Sequence, residues 1–300
     1  GRDVVVRDIN GDSNLDLIFT TNLLEVSVAL GNGDGNFSAA QTYQLSDVGN
    51  SIALSDVNND SIADLLVTGQ TANRIDVLLG NSDGSFSLYL NPAAVLDGTS
   101  PVLPDAIAVA SLNGGSNPDM VVASSLSLSV FLGNGDGNFN SPITLDSGAF
   151  RGVSVGDVDG DGDSDIIAQQ QGGSGRLLVY LSNNDGTFNA GLTNYVGPVG
   201  ASESELIDVD DDGILGIVCS NPNDQTTSIL LGNGNGTFQA RISIATGSYA
   251  ASNAIGDFTN NGYMDFAQAT NTGIAVFLSN TTSTGGSSSS FQSSAQLTGI

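Results

Sequence analysis

Residues 157–165 read DVDGDGDSD, with acids at positions 1, 3, 5, 7 and 9, between the apolar runs GVSV and IIA. Carboxylates packed this densely repel one another unless a cation neutralises them, and hard oxygen ligands select calcium or, less well, magnesium. Asp157, Asp159, Asp161 and Asp165 offer side-chain oxygens, and Asp163 offers its backbone carbonyl. Gly160 and Gly162 permit the sharp turn that brings alternate side chains together. An EF-hand would need Glu at position 12 and flanking helices. Position 12 is Ala168, in an apolar run, so the expected setting is strand–loop–strand. A solvated acidic turn would explain one such stretch; recurrence argues for a metal loop.

Copies start at Asp8 (DINGDSNLD), Asp56 (DVNNDSIAD), Ser111 (SLNGGSNPD), Asp157, Asp208 (DVDDDGILG) and Asp257 (DFTNNGYMD), spaced by 48, 55, 46, 51 and 49 residues. A second signature keeps the same beat: LGNGDGNF at Leu30, LGNSDGSF at Leu79, LGNGDGNF at Leu132, LSNNDGTF at Leu181 and LGNGNGTF at Leu231. A sixth copy begins LSN at Leu278 and is stretched by TTSTGGSSSS before Phe291; that tract reads as a flexible linker. Interleaved motifs at one period define an internal repeat.

Each repeat holds four short apolar runs bounded by turn residues, the signature of strands, and no stretch sustains a helical period. Four strands in about fifty residues is the arithmetic of a propeller blade. The expected fold is all-β: one β-propeller domain, 1–300, of six four-stranded blades (about 1–46, 47–97, 98–147, 148–197, 198–247 and 248–300), with acidic loops between strands 1 and 2. A seven-bladed ring lacking one blade is the geometric alternative. Asn-Gly and Asp-Gly steps supply the positive φ of the strand 3–4 hairpins. Phe37, Phe86, Phe139, Phe188, Phe238 and Phe291 are expected to restart the fourth strand and to plug the core between neighbouring blades.

Composition narrows the function. The 32 acids against 6 arginines, with neither Lys nor His, give a net charge of -26, which repels nucleic acid and anionic membranes. No apolar run could span a bilayer, and without signal peptide or initiating Met the chain is expected to be a mature or excised segment. Cys219 lies in the run ILGIVCS and reads as a small core residue. Modest-affinity calcium loops fill in millimolar calcium, so an extracellular, secreted or cell-surface location is expected; sequons at Asn36, Asn59, Asn235 and Asn280 are compatible with a glycoprotein.

A DxDxDGxxD loop between apolar strands, followed by LGNGDGxF, resembles the FG-GAP/VCBS repeats of β-propellers such as integrin α heads and fungal propeller lectins. The resemblance implies calcium in the loops and extracellular recognition of glycans or proteins, with polysaccharide lyases among the relatives. It carries ligands onto Asp8, Asn10, Asp12, Asn14 and Asp16, and onto Asp56, Asn58, Asp60, Ile62 and Asp64, where Asn14 and Ile62 take the carbonyl position. With the fourth loop these make three full Ca2+ sites. Two weaker ones follow: Asp208, Asp210 and Asp212, where Gly216 replaces the last acid, and Asp257, Asn261 and Asp265, with Thr259 between. The third loop, with Ser111, Asn113, Gly115 and Asp119, is expected to be empty.

Three functions are weighed. A binding or adhesion module would use inter-blade grooves or the face opposite the acidic loops, where the connections 96–105, 169–176, 196–205 and 221–227 are least regular; Arg151, Arg176, Tyr195 and Tyr249 are the candidate contacts on that face. A structural repeat would self-associate into a filament, matrix or adhesin. An enzyme is disfavoured: without His or Lys, general-base chemistry falls to acids already explained by metal, and the remaining acidic pair, Glu203 and Glu205, is accompanied by no nucleophile elbow in the sequence.

Overall fold

The structure is a computed structural model that describes residues 3–71, 74–89, 103–172, 176–189, 191–195, 204–221, 224–246, 250–259, 264–270, 273–280 and 290–297. Among these, twenty-four strands form six four-stranded antiparallel meanders, each pairing strand 1 with 2, 2 with 3 and 3 with 4. The sheets span 4–44, 49–89, 104–147, 150–195, 204–245 and 250–297. This is the all-β, β-propeller class expected from the repeats, one sheet per blade.

Packing divides the chain into two compact units, Gly1–Val153 with Asn183–Phe188, and Ser154–Ser182 with Asn189–Ile300. In the first, the second strand of blade 2 (Asp64–Gly69) is buried on both faces. Leu65 and Val67 join Ile18, Val26 and Val28 of blade 1, while Leu66 joins Met120, Val122 and Phe131 of blade 3. Alternate side chains of a strand point to opposite faces, which is why its sequence is continuously apolar. In the second unit, Ile217 packs with Ile167 and Val179 of blade 4, and Val218 with Phe266 and Phe277 of blade 6. Cys219 sits in this packing, and burial pushes its thiol up to about 12, far from nucleophilic range.

The hairpin phenylalanines meet the expectation in part, Phe291 lying at the start of its fourth strand (Ser290–Leu297). Phe86 does open a fourth strand (Phe86–Tyr89), but Phe37, Phe139 and Phe238 form isolated bridges to Gly31, Gly133 and Gly232. The fourth strands there start only at Gln41, Ile143 and Ile242, because the tight turn closes on the Phe before the chain extends. Phe86 packs edge-on against Tyr43 of the preceding blade, centroids 5.7 Å apart, and is 6% exposed. Phe139 and Phe238 likewise pack against inter-blade clusters. Phe37 is 43% exposed and plugs nothing.

Candidate metal centre

Each acidic loop joins strands 1 and 2 of its blade. The first acid folds the loop around itself: Asp157 accepts from the Gly160 and Gly162 amides at 2.7 and 2.9 Å, and Asp8 from those of Gly11 and Ser13, both at 2.8 Å. Asp56 and Asp208 do the same within their loops. The pattern requires positive φ at positions 4 and 6. Glycine supplies it in blade 4, whereas Ser13, Asn59, Ser61 and Asp211 adopt it elsewhere despite their Cβ. Position 5 continues the wrap, Asp12, Asp60, Asp161 and Asp212 each accepting the amide two residues on. Backbone strain held by a ring of converging oxygens suits a site built for an ion.

Among the described residues, two loops gather carboxylates tightly enough to hold a metal: one oxygen each from Asp157, Asp159 and Asp165, and one each from Asp208, Asp210 and Asp212, lie within 4.8 Å of one another. Protonation energetics register the crowding. Burial, then Asp159 and Asp161, raise Asp165 to about 6; burial with neighbouring acids also raises Asp159, Asp163 and Asp210. A hard cation would reverse this by stabilising the ionised forms. The donor chemistry therefore fits calcium, in blades 4 and 5 by acids alone. In blades 1 and 2 Asn10 and Asn58 take position 3, each donating its amide N–H to the acid at position 5. Of the sixth loop, Asp257 and Asp265 are described and Asn261 lies outside the described residues; Thr259 donates to both acids.

The third loop supplies donors where the others supply acceptors. The Ser111 hydroxyl donates to the Gly115 carbonyl at 2.7 Å, and the Asn113 amide reaches Asp119 at 3.4 Å. Hydrogen bonds thus close the loop around the single acid Asp119, without the crowded carboxylates of the other loops.

The acid at position 9 has a second role that the sequence reading missed. Fully buried Asp165 accepts the Val158 amide from its own loop and the Ser182 amide from the strand 3–4 turn, both at 2.9 Å. Asp16 binds the amides of Ile9 and Gly31 in this way, Asp64 those of Val57 and Gly80, and Asp119 those of Leu112 and Gly133. This carboxylate staples the acidic loop to the hairpin turn. Its persistence in blade 3, where the other acids are gone, was the available signal.

Turns and loops also meet between adjacent blades. The Gly137 amide of blade 3 donates to the Val57 carbonyl of blade 2, and the Gly236 amide of blade 5 to the Val158 carbonyl of blade 4. The Asn59 side-chain amide donates to Asn117 and to the Gly135 carbonyl, so that sequon's nitrogen is engaged in the fold.

At the opposite blade ends, Arg151 and Arg176 are exposed. Tyr195 is paired with Arg176 in the strand register of blade 4. Tyr249 and Glu203 lie outside the described residues, as do residues 96–102, 196–203 and 281–289. No helix among the described residues is long and apolar enough to cross a membrane.

Comparison with known proteins places the chain. It matches the FG-GAP-like repeat over residues 8–67, 112–168 and 208–268. An Agrocybe aegerita lectin that specifically recognises non-reducing terminal N-acetylglucosamine is similar in structure, with TM-score 0.66, 20% identity, and coverage of 92% of this chain and 76% of the lectin. BBS1N, solved in complex with ARL6DN, gives TM-score 0.60 at 13% identity, covering 91% of this chain and 78% of that one. These likenesses concern the fold. No curated protein matches the chain.

Proposed function

Because the chain belongs to the FG-GAP-like repeat family, we propose that it is an extracellular binding module, stiffened by calcium, that recognises a glycan or a protein surface and performs no catalysis. The observation that carries this reading is the division of labour along blade 4. Dense acids are consumed at one end by loops and staples, while the other end carries exposed Arg176 next in register to Tyr195. Planar guanidinium and aromatic side chains suit sugar hydroxyls and ring faces. Glycan is taken first because a fold neighbour is a lectin.

Calcium would be held by Asp157, Asp159, Asp161, the Asp163 carbonyl and Asp165, by the matching residues of loops 1 and 2, and more weakly in loops 5 and 6; loop 3 takes none. Bound there, the ion supplies positive charge that fixes the loops. The thiol of Cys219 is buried, and among the described residues the grouped acids belong to these loops, which supports a non-catalytic role.

The test is a glycan array probed in calcium with the full chain and with Arg176→Ala. Saturable binding lost in the variant supports the reading; silence across the array overturns glycan recognition. A second reading, self-association, is favoured by blade 1. There Val4 is 58% and Phe37 43% exposed, while their counterparts Ile52, Ile107 and Phe86 are 6%, 7% and 6% exposed. Light scattering that shows ordered oligomers, abolished by Phe37→Ser, would favour that alternative.

A further inference from the structure

A cleft of about 300 Å³ opens on the acidic-loop side between blades 1 and 2, lined by Arg7, Asp8, Ile9 and Asn10 from one and by Ser61, Ile62, Ala63 and Ser82 from the other. Its size is at the small end of ligand pockets, enough for one sugar ring with some water. We propose that this cleft binds the carboxylate of an acidic sugar, a hexuronate residue, through the Arg7 guanidinium. The idea rests on the glycan-recognition reading for its ligand class, but concerns a separate surface from the connection face.

Arg7 is singular in its position. The residue immediately before the first acid is Arg in blade 1, and Ser55, Ala110, Gly156, Ile207 and Gly256 in the others. A cation there is no requirement of the blade. Nor does Arg7 serve a neighbouring acid: its side chain is exposed, and among the described residues it has no ion pair.

The cleft's polar groups decide what it accepts. The Asp8 oxygens accept the amides of Gly11 and Ser13, the Asn10 side-chain oxygen accepts the amide of Asp12, and both residues are assigned above to the calcium of loop 1, so these acceptors are committed to the loop. What remains is donor-rich: five guanidinium N–H groups and the hydroxyls of Ser61 and Ser82, neither of which has a side-chain partner among the described residues. A ligand must therefore bring acceptors, and a carboxylate matches the guanidinium fork with two parallel hydrogen bonds. Ile62 and Ala63 also line the cleft and would offer apolar surface to the C–H face of a pyranose, whose hydroxyls Ser61 and Ser82 would meet. An acidic peptide offers the carboxylate but not the hydroxyls or the flat C–H face.

Isothermal titration calorimetry on the full chain in calcium buffer tests this, with trigalacturonate as probe and its methyl ester as the uncharged control of nearly equal shape. The acid should bind saturably and the ester more weakly by about tenfold. Arg7→Gln should lower affinity for the acid by about tenfold and leave the ester unchanged, with Arg7→Lys intermediate because it keeps charge and loses the fork. Ser82→Leu, which fills the cleft without altering charge, should abolish binding of both. Absence of trigalacturonate binding, equal binding of acid and ester, indifference to Arg7→Gln, or equal affinity for an acidic peptide would each overturn the proposal. If array glycans bind at the Arg176 face while these variants change nothing, only the cleft assignment fails; if the array is silent but trigalacturonate binds through Arg7, only the connection-face reading fails.

Discussion

Asp119→Ala separates the staple from the metal. Asp119 is fully buried, and its loop lacks the other acids, so its carboxylate is free of any ion-binding role in the scheme above. It accepts the Leu112 amide at 2.9 Å and the Gly133 amide at 2.8 Å. Truncation orphans two buried N–H groups, each costing about 1–3 kcal/mol. Relief of the carboxylate's own burial, which raises its pKa, offsets part of this. The expected net loss is about 2–4 kcal/mol, a large share of the roughly 5–15 kcal/mol of an ordinary domain. Guanidinium unfolding followed by circular dichroism should show it equally in calcium and in chelator. The contrasting variant, Asp161→Ala, removes an exposed acid that accepts only the Asp163 amide, and should lose stability in calcium alone. A loss for Asp119→Ala below about 0.5 kcal/mol, or one that appears only with calcium, would refute the staple.

Acid should strengthen the cation-free protein. Asp165 is raised from 3.8 to about 6, so between those values the folded state binds more protons than the unfolded one, and stability falls as pH rises through that window. In chelator the melting temperature should be higher near pH 5 than near pH 7, a difference that Asp165→Asn diminishes and that saturating calcium reverses; a flat apo profile would count against the crowding of loop 4. Phe86→Ala should cost about 3–5 kcal/mol by opening a cavity against Tyr43, whereas Phe37→Ala should stay within about 0.5 kcal/mol, as denaturation midpoints can check.

The periodic features were legible because they are local. Alternating acids, positive-φ residues and apolar runs lie within a few residues of one another, and from them came the loop positions, the turns and the four strands of each blade. What escaped reading depends on residues far apart in sequence. Asp165 meets the Ser182 amide across two strands, so a local pattern presented it as one more ligand. Phe37 carries the same motif as Phe86, and only its surroundings distinguish an exposed ring from a buried one. Arg7 was visible as a residue, but the cleft it lines needs Ser61 and Ser82 from the next repeat.

The hydrogen bonds from the Gly137 amide to the Val57 carbonyl and from the Gly236 amide to the Val158 carbonyl give these two blade pairs a direction. Each runs from the turn of one blade back to the acidic loop of the blade before it. Whatever loosens loop 2 or loop 4 therefore releases the hairpin of the next blade along with its own. Losing the ion from loop 4 would propagate toward blade 5, whose turn amides would begin to exchange with solvent once the Val158 carbonyl no longer holds Gly236.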